Sequence, residues 1–489
     1  MKKLISVLMV FAMILALVPA MSAGASDAQS FVVVFKKESL TKESYDLIKE
    51  AGGTVTYEVP EIGVLEAATT NPAAFIKSLL KNNSIQSLAP SFELPLSLPE
   101  TAAETEQPAA SLAPVPADQS IWGTGWQWDI EQVTNNGASH EISSGSKDVV
   151  VGIIDSGIDF NHPDLKNNIV PGSQTFVPET TDAFDYNSHG THVAGTIAAN
   201  GRLKGVAPEA GVRSYRVFGA TGGAQQIWIT KAIVAAANDG VDVINMSLGG
   251  TRIAGQWYYT DPETGETIRL GNDAADLVAY HRAVQYAVMN NVTVVATAGN
   301  DGQDLSNPAK LTDWYNAYLK ANGLVDYNVQ GAAFKVPGET PGIITVSATG
   351  GGFGTSDRIA FYSNYGQGAV DLSAPGGDLG PDYPNSVPAD YYKYLILSTI
   401  PTYLRPSSTA KAVFGEGHYG WKGGTSMAAP QVSGAAAAYI ARVYAATGKK
   451  PSPSQVQAQL KNTAVDAGKI GYDPLFGSGI VNAYKALTE

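Results

Sequence analysis

The chain contains no cysteine. That single absence removes disulfide bonds, thiol nucleophiles and cysteine-ligated zinc together. Beyond its first 18 residues it also lacks any apolar run near the roughly 20 residues that a bilayer span requires. There is no His-Glu-x-x-His metal pattern, no Gly-x-Ser-x-Gly elbow, no long-period repeat and no low-complexity tail. Positive charge is in deficit: 32 Lys and Arg stand against 45 Asp and Glu, a formal net charge of −13. Such a balance argues against a nucleic-acid binder, which carries a basic patch.

What is present begins with a secretory pattern. Lys2 and Lys3 precede an apolar run from Leu4 to Val18, broken only by Ser6, and Ala23-Gly24-Ala25 offers small residues for cleavage. Residues 1–25 are therefore expected to be a signal peptide cut after Ala25; the run is too short for the alternative, a membrane anchor. The mature protein is expected outside the cell, as a monomer without a membrane span. Without disulfides its stability must come from core packing, with bound ions as a further source.

With 489 residues, 44% of them hydrophobic, the chain has material for two to four domains. Residues 26–94 read as a small α+β unit in the order β-α-β-β-α-β. Strands are expected at Phe31–Phe35, Thr54–Val59, Gly63–Ala67 and Ser84–Leu88, with helices at Ser39–Ala51 and Asn71–Leu80. Residues 95–119, rich in Pro, Ala, Glu and Ser, read as an exposed flexible linker open to proteolysis.

From residue 120 to 489 buried strands alternate with helices. Val149–Ile154, Val212–Val217, Val241–Met246, Val292–Ala298 and Ile343–Ala348 lack polar alternation, as strands covered on both faces do. This predicts an α/β, doubly wound, mostly parallel sheet. Ala274–Met289 is expected to bury a stripe of Leu277, His281, Val284 and Val288. Thr251–Asp273 and Gly377–Lys422 read as long inserted loops.

Four short segments carry chemistry. Asp155 ends a buried strand in Asp-Ser-Gly; alone this reads equally well as a turn or cap. His189 opens His-Gly-Thr-His-Val-Ala-Gly, and an imidazole is a natural general base. Asp155 would fix its tautomer. His189 and His192 are three apart, a metal spacing, but no further ligand accompanies them, so no metal site is expected and His192 reads as a packed helix residue. Ser426 lies in Gly-Gly-Thr-Ser-Met-Ala-Ala-Pro at the start of an apolar helix, where the bland reading is an N-cap. Asn300 follows a strand in Ala-Gly-Asn; either it is a turn residue or it donates to a developing oxyanion.

Together the four segments, in the order Asp, His, Ser, resemble the subtilisin-like serine peptidases over roughly residues 126–487. The resemblance implies a triad of Asp155, His189 and Ser426, an oxyanion hole of Asn300 with the Ser426 N–H, and substrate pairing along Ser247, Leu248 and Gly249. It also implies that residues 26–94 are an inhibitory propeptide resembling a ferredoxin-like domain, with autocleavage between Leu94 and Gln119. Protein or peptide substrates and the chain's own propeptide are the expected partners. Many relatives bind calcium in a loop after the catalytic histidine. Only eight residues, 197–204, separate Thr196 from Gly205 here, so that site is not carried over; Asp and Asn elsewhere leave calcium open, with no cluster naming a site. No cofactor is expected. Two rivals remain: a non-catalytic peptide binder on the same fold, and an acyl esterase, whose usual elbow and residue order are missing.

Overall fold

The computed structural model describes residues 28–91, 93–95, 113–219, 222–260, 262, 264–321, 323–352 and 358–489. The expected signal peptide and residues 96–112 of the expected linker lie outside the described residues.

Near the N-terminus four antiparallel strands form a sheet in the order Thr54–Val59, Val64–Thr69, Gln29–Phe35, Ile85–Pro90. Helices Lys42–Glu50 and Pro72–Leu79 cover one face. The second starts on Pro72, and the Asn71 side chain caps it by accepting from Ala74 N at 3.3 Å. Side chains of a strand alternate between faces. Phe31, Val33 and Phe35 thus join Ile48, Leu65, Phe75 and Leu79 under these helices. Val32 and Val34 point the other way, into the larger unit, against helices Gln226–Asn238 and Ala274–Met289. Phe31–Phe35 is a run without polar alternation because both of its faces are covered.

The larger sheet runs Arg358–Ile359, Ile343–Gly350, Thr293–Thr297, Val243–Met246, Val150–Asp155, Gly211–Arg216, Gln174–Thr175, with Leu372–Pro375 also paired to Ile343–Gly350. All its pairings are parallel except the edge pair Ile343–Gly350 with Arg358–Ile359. Helix Thr425–Thr447 packs across it, buried from Thr425 to Ala438. Its alanines keep it thin enough to lie close to the strands. Pro430 lies inside the helix, beyond the expected first turn, and cannot donate to Ser426 O; that carbonyl accepts from Ser247 Oγ at 2.8 Å instead.

Three expectations are corrected. Helix Ala274–Met289 buries Ala275, Asp276, Ala279, Tyr280, Ala283, Val284 and Ala287; of the expected stripe Val284 is buried and Leu277 and Val288 pack partly buried against the core, but His281 is exposed. The helix is sandwiched between the two units, and Arg282 is drawn in to donate to Ile62 O at 2.7 Å. The two inserts are not loops. Gly250–Thr260 pairs antiparallel with Thr267–Gly271 and, from Gly250↔Val336 to Tyr259↔Tyr327, with Tyr327–Val336. Residues 377–422 contain the hairpin Ile396–Thr399/Tyr419–Lys422 and helix Ser408–Phe414, packed into a core of Tyr391, Tyr392, Phe414 and Tyr419. The end of the expected flexible linker joins that core. Val115 is buried there, its N–H donates to Val413 O at 2.7 Å, and Arg202 holds the carbonyls of Val115, Pro116 and Gln119.

A structural role for the second insert predicts that Phe414→Ala costs about 3–5 kcal/mol in denaturant unfolding, as for other fully buried aromatics; a mobile loop would lose almost nothing. A second prediction concerns pH. Asp129 is fully buried, accepts from Gln431 Nε2 at 2.6 Å, and is pushed by burial up to about 7. A carboxyl raised in the folded state takes up a proton on folding, so its contribution is fullest below pH 4 and is lost as pH rises through 7. Asp129→Asn should flatten the fall in stability between about pH 4 and pH 7 relative to the parent chain; parallel curves would contradict this.

Candidate active site

The parallel register assembles the site. Ile154 pairs with Met246 and Met246 with Ala296, so three adjacent strands end side by side. Asp155 ends the first, Ser247 directly follows the second, and Asn300 lies three residues beyond the third. Neighbouring strands are about 4.8 Å apart. Functional groups on such a sheet gather at these carboxyl ends.

His189 is the first residue of helix His189–Ala198. Its Nδ1 lies 2.8 Å from Asp155 Oδ1, and both side chains are fully buried. The same Oδ1 accepts from Ser156 N at 2.7 Å. Close approach of helix and strand needs Gly190, where an added Cβ would stand 2.1 Å from Gly157 O. Below the pair lies Asp185, also fully buried. It accepts from Ser156 Oγ, from the backbone of Asn187, Ser188 and Thr191, and from Thr191 Oγ1 at 2.6–2.9 Å. Ser156 Oγ in turn accepts from Gly190 N at 2.9 Å. This network ties the start of the histidine helix to the strand carrying Asp155. From the far side Ser398 and Thr399 of the second insert donate to the carbonyls of His192 and Thr191.

Ser426 is the second residue of its helix, not the N-cap; that place belongs to Gly424. Its Oγ donates to Ser247 O at 3.2 Å, and Ser247 Oγ donates to Ser426 O at 2.8 Å. In this arrangement no hydrogen bond joins Ser426 Oγ to His189 Nε2, which is buried without a partner among the described residues. Asn300 Oδ1 accepts from Thr425 N at 2.9 Å and Thr425 Oγ1 at 2.7 Å, which fixes the amide nitrogen as the donor end beside the serine helix. A cavity of about 140 Å³ is lined by Leu248, Gly249, Asn300 and Ser426 among others. His192 is fully buried, with Nε2 3.2 Å from both Ile396 O and Gly420 O; burial holds its pKa well below the ordinary histidine range. It packs and does not face the cavity.

Sequence reasoning missed Asp185, Ser398 and Thr399. An aspartate ahead of a helix accepting from the next turn is an Asx signal, and Asp185 lies four residues before His189. Nothing local marks the two insert hydroxyls. Among the described residues no group of three or more His, Asp and Glu is arranged to hold a metal. In the short loop after the histidine helix, Lys204 Nζ bonds Asn200 Oδ1 at 2.6 Å. An ammonium on that oxygen does not suit a calcium site.

Comparison with known proteins places these features. Residues 146–479 match the Subtilase family, Peptidase_S8. The epidermin leader peptide-processing serine protease EpiP of Staphylococcus epidermidis is 31% identical over 378 residues, 74% of each chain. Subtilisin NAT of Bacillus subtilis subsp. natto is 29% identical over 491 residues, covering 99% of this chain and 97% of the relative. The crystal structure of EpiP from Staphylococcus aureus superposes with a TM-score of 0.73 at 29% identity, over 95% of this chain and 98% of that one. A doubly wound sheet bearing a buried imidazole–carboxylate pair defines the class, a serine-type peptidase. The chain belongs to the subtilase family.

Removing the acceptor under the histidine helix should be costly. Asp185→Ala strands four buried donors and the part-buried Asn187 N–H, so a loss of about 3 kcal/mol or more in unfolding is expected, at 1–3 kcal/mol for each unsatisfied buried group. Turnover of a peptide substrate should fall with it; unaltered stability would show that Asp185 does not hold the helix.

Proposed function

We propose that the protein is a secreted serine endopeptidase made as a self-processed zymogen. Residues 1–25 are the signal peptide, 26–94 the inhibitory propeptide, 95–119 the processing linker and 120–489 the catalytic domain. The observation that carries the reading is the fully buried 2.8 Å contact of His189 Nδ1 with Asp155 Oδ1, beside the next strand end where Ser247 bonds to Ser426 of the serine helix. Asp155 holds the imidazole with its proton on Nδ1, leaving Nε2 as the base. For this step Ser426 Oγ leaves Ser247 O and turns to that base, whose Nε2 is buried with no partner among the described residues. Ser426 then attacks the scissile carbonyl as His189 Nε2 takes its proton.

Asn300 Nδ2 and the Ser426 N–H stabilise the oxyanion, and the positive end of the serine helix helps. His189 passes its proton to the leaving amine, and water releases the acyl group by the reverse steps. Ser247, Leu248 and Gly249 pair with the substrate backbone on the acyl side, so main-chain hydrogen bonds supply much of the affinity.

Inhibition by the propeptide is supported by its tail. Glu93–Pro95 forms an antiparallel pair with Gly223–Gln225, in the manner of a bound extended peptide. The folded propeptide sheet, docked on the two helices, delivers that tail. Likeness to a leader-peptide-processing relative over most of the chain favours limited cleavage of chosen peptides over general degradation.

The test is Ser426→Ala. It should leave the precursor uncut and abolish casein hydrolysis, a loss on the order of 10⁶ in turnover, and His189→Ala should do the same. Normal self-processing in either variant would remove the peptidase reading.

A further inference from the structure

The cavity beside Ser426 extends back to two basic side chains, Arg252 and Lys335. Arg252 is the third residue of strand Gly250–Thr260, which starts directly after the Ser247-Leu248-Gly249 segment. Its side chain is only 6% exposed. Nε donates to Asp276 Oδ2 at 2.9 Å and Gln226 Oε1 at 3.1 Å, and Nη1 donates to Thr251 O at 3.2 Å. Nη2 is buried and has no acceptor among the described residues. A guanidinium has five donors, and leaving a charged one unmet in the interior is expensive. Here the unmet donor belongs to a side chain forming the wall of a cavity that opens beside a nucleophile.

The other charges near it leave room for an anion. Asp276, outside the cavity lining, holds Arg252 through Nε, while Asp273 beside it accepts from Ile253 N and Trp257 Nε1 and acts on the guanidinium only through its field; neither reaches Nη2. Lys335 Nζ lies 2.6 Å from Asp301 Oδ2 and 5.1 Å above the Trp314 ring. Among the described residues the lining holds two carboxylates, Asp301 and, from the strand Glu93–Pro95, Glu93.

We propose that this cavity takes the side chain of the residue whose carbonyl is attacked, and that it selects a carboxylate there, read by Arg252 with Lys335 as a second cation. The inference rests on the peptidase reading and names its substrate class: peptides cut after glutamate or aspartate. A carbonyl held between Ser426 and Asn300 places its own residue's side chain over the mouth, because both residues line it. The chain's own processing stretch has a matching composition. Residues 95–119 contain Glu100, Glu104, Glu106 and Asp118 but no lysine, arginine or aromatic residue. A pocket built for a basic or aromatic side chain would find no site there.

Four peptides identical except for glutamate, glutamine, lysine or phenylalanine before the cut separate the alternatives, using the full chain after its own processing. Expected is a kcat/KM for glutamate at least about 10-fold above glutamine, the ordinary yield of one charge-assisted hydrogen bond. Arg252→Gln should bring that ratio toward one. Because Arg252 is buried and its variant can fail to fold, Lys335→Met provides a second reading and should lower the ratio less. Glutamine cut as fast as glutamate, or lysine or phenylalanine cut faster, would overturn the inference while leaving the peptidase intact. Cleavage of none of the four with casein still hydrolysed would also overturn the inference; casein left intact as well would refute the peptidase reading itself.

Discussion

Everything at the site depends on one register. Parallel strands aligned Ile154 to Met246 to Ala296 bring the ends of three strands level. Asp155 and Ser247 then sit on adjacent strands, Asn300 follows on the third, and the serine helix needs only to bridge from Ser247 to Asn300. It does so through Ser426 O on one side and the Thr425 N–H on the other. A one-residue slip would turn every strand side chain to the opposite face and separate the carboxylate from the imidazole. The core therefore determines the geometry, and the polar network only trims it.

A second constraint is that the molecule's two units share a core. The outer face of the small sheet and helices Gln226–Asn238 and Ala274–Met289 bury one another, with Val32, Val34, Val59, Ile62 and Val64 contributed by the small unit. Polar anchors frame that contact: Arg282 to Ile62 O at 2.7 Å and Tyr57 to Phe176 O at 3.0 Å. The strand Glu93–Pro95 follows from this docking, since it starts only three residues after the sheet ends at Pro90. A chain so short cannot wander, so the position of the small unit sets the position of the tail.

Much of this was legible in the sequence where local chemistry is strong. The α+β order of residues 26–94 and the buried parallel strands followed from apolar runs bounded by turn residues. Ala274–Met289 was legible as a helix, but not its buried face. That face depends on a sheet 190 residues earlier packing against it, which no local period can reveal. The inserts were misread for a related reason. Glycine, proline and tyrosine are loop-like in isolation, yet Gly250–Thr260 finds its partner in Tyr327–Val336, some 80 residues on. The four motif residues stood out because unusual short segments surround them. Arg252 and Lys335 did not, because a lone basic residue means little until its neighbours are known.

The central claim is that Asp155, His189 and Ser426 act as one unit. Reaction with a fluorophosphonate, followed by peptide mapping in the mass spectrometer, tests it most directly. The expected result is a single adduct on Ser426 that is lost when His189 is replaced by alanine. An adduct on another serine, or undiminished labelling without the imidazole, would contradict it.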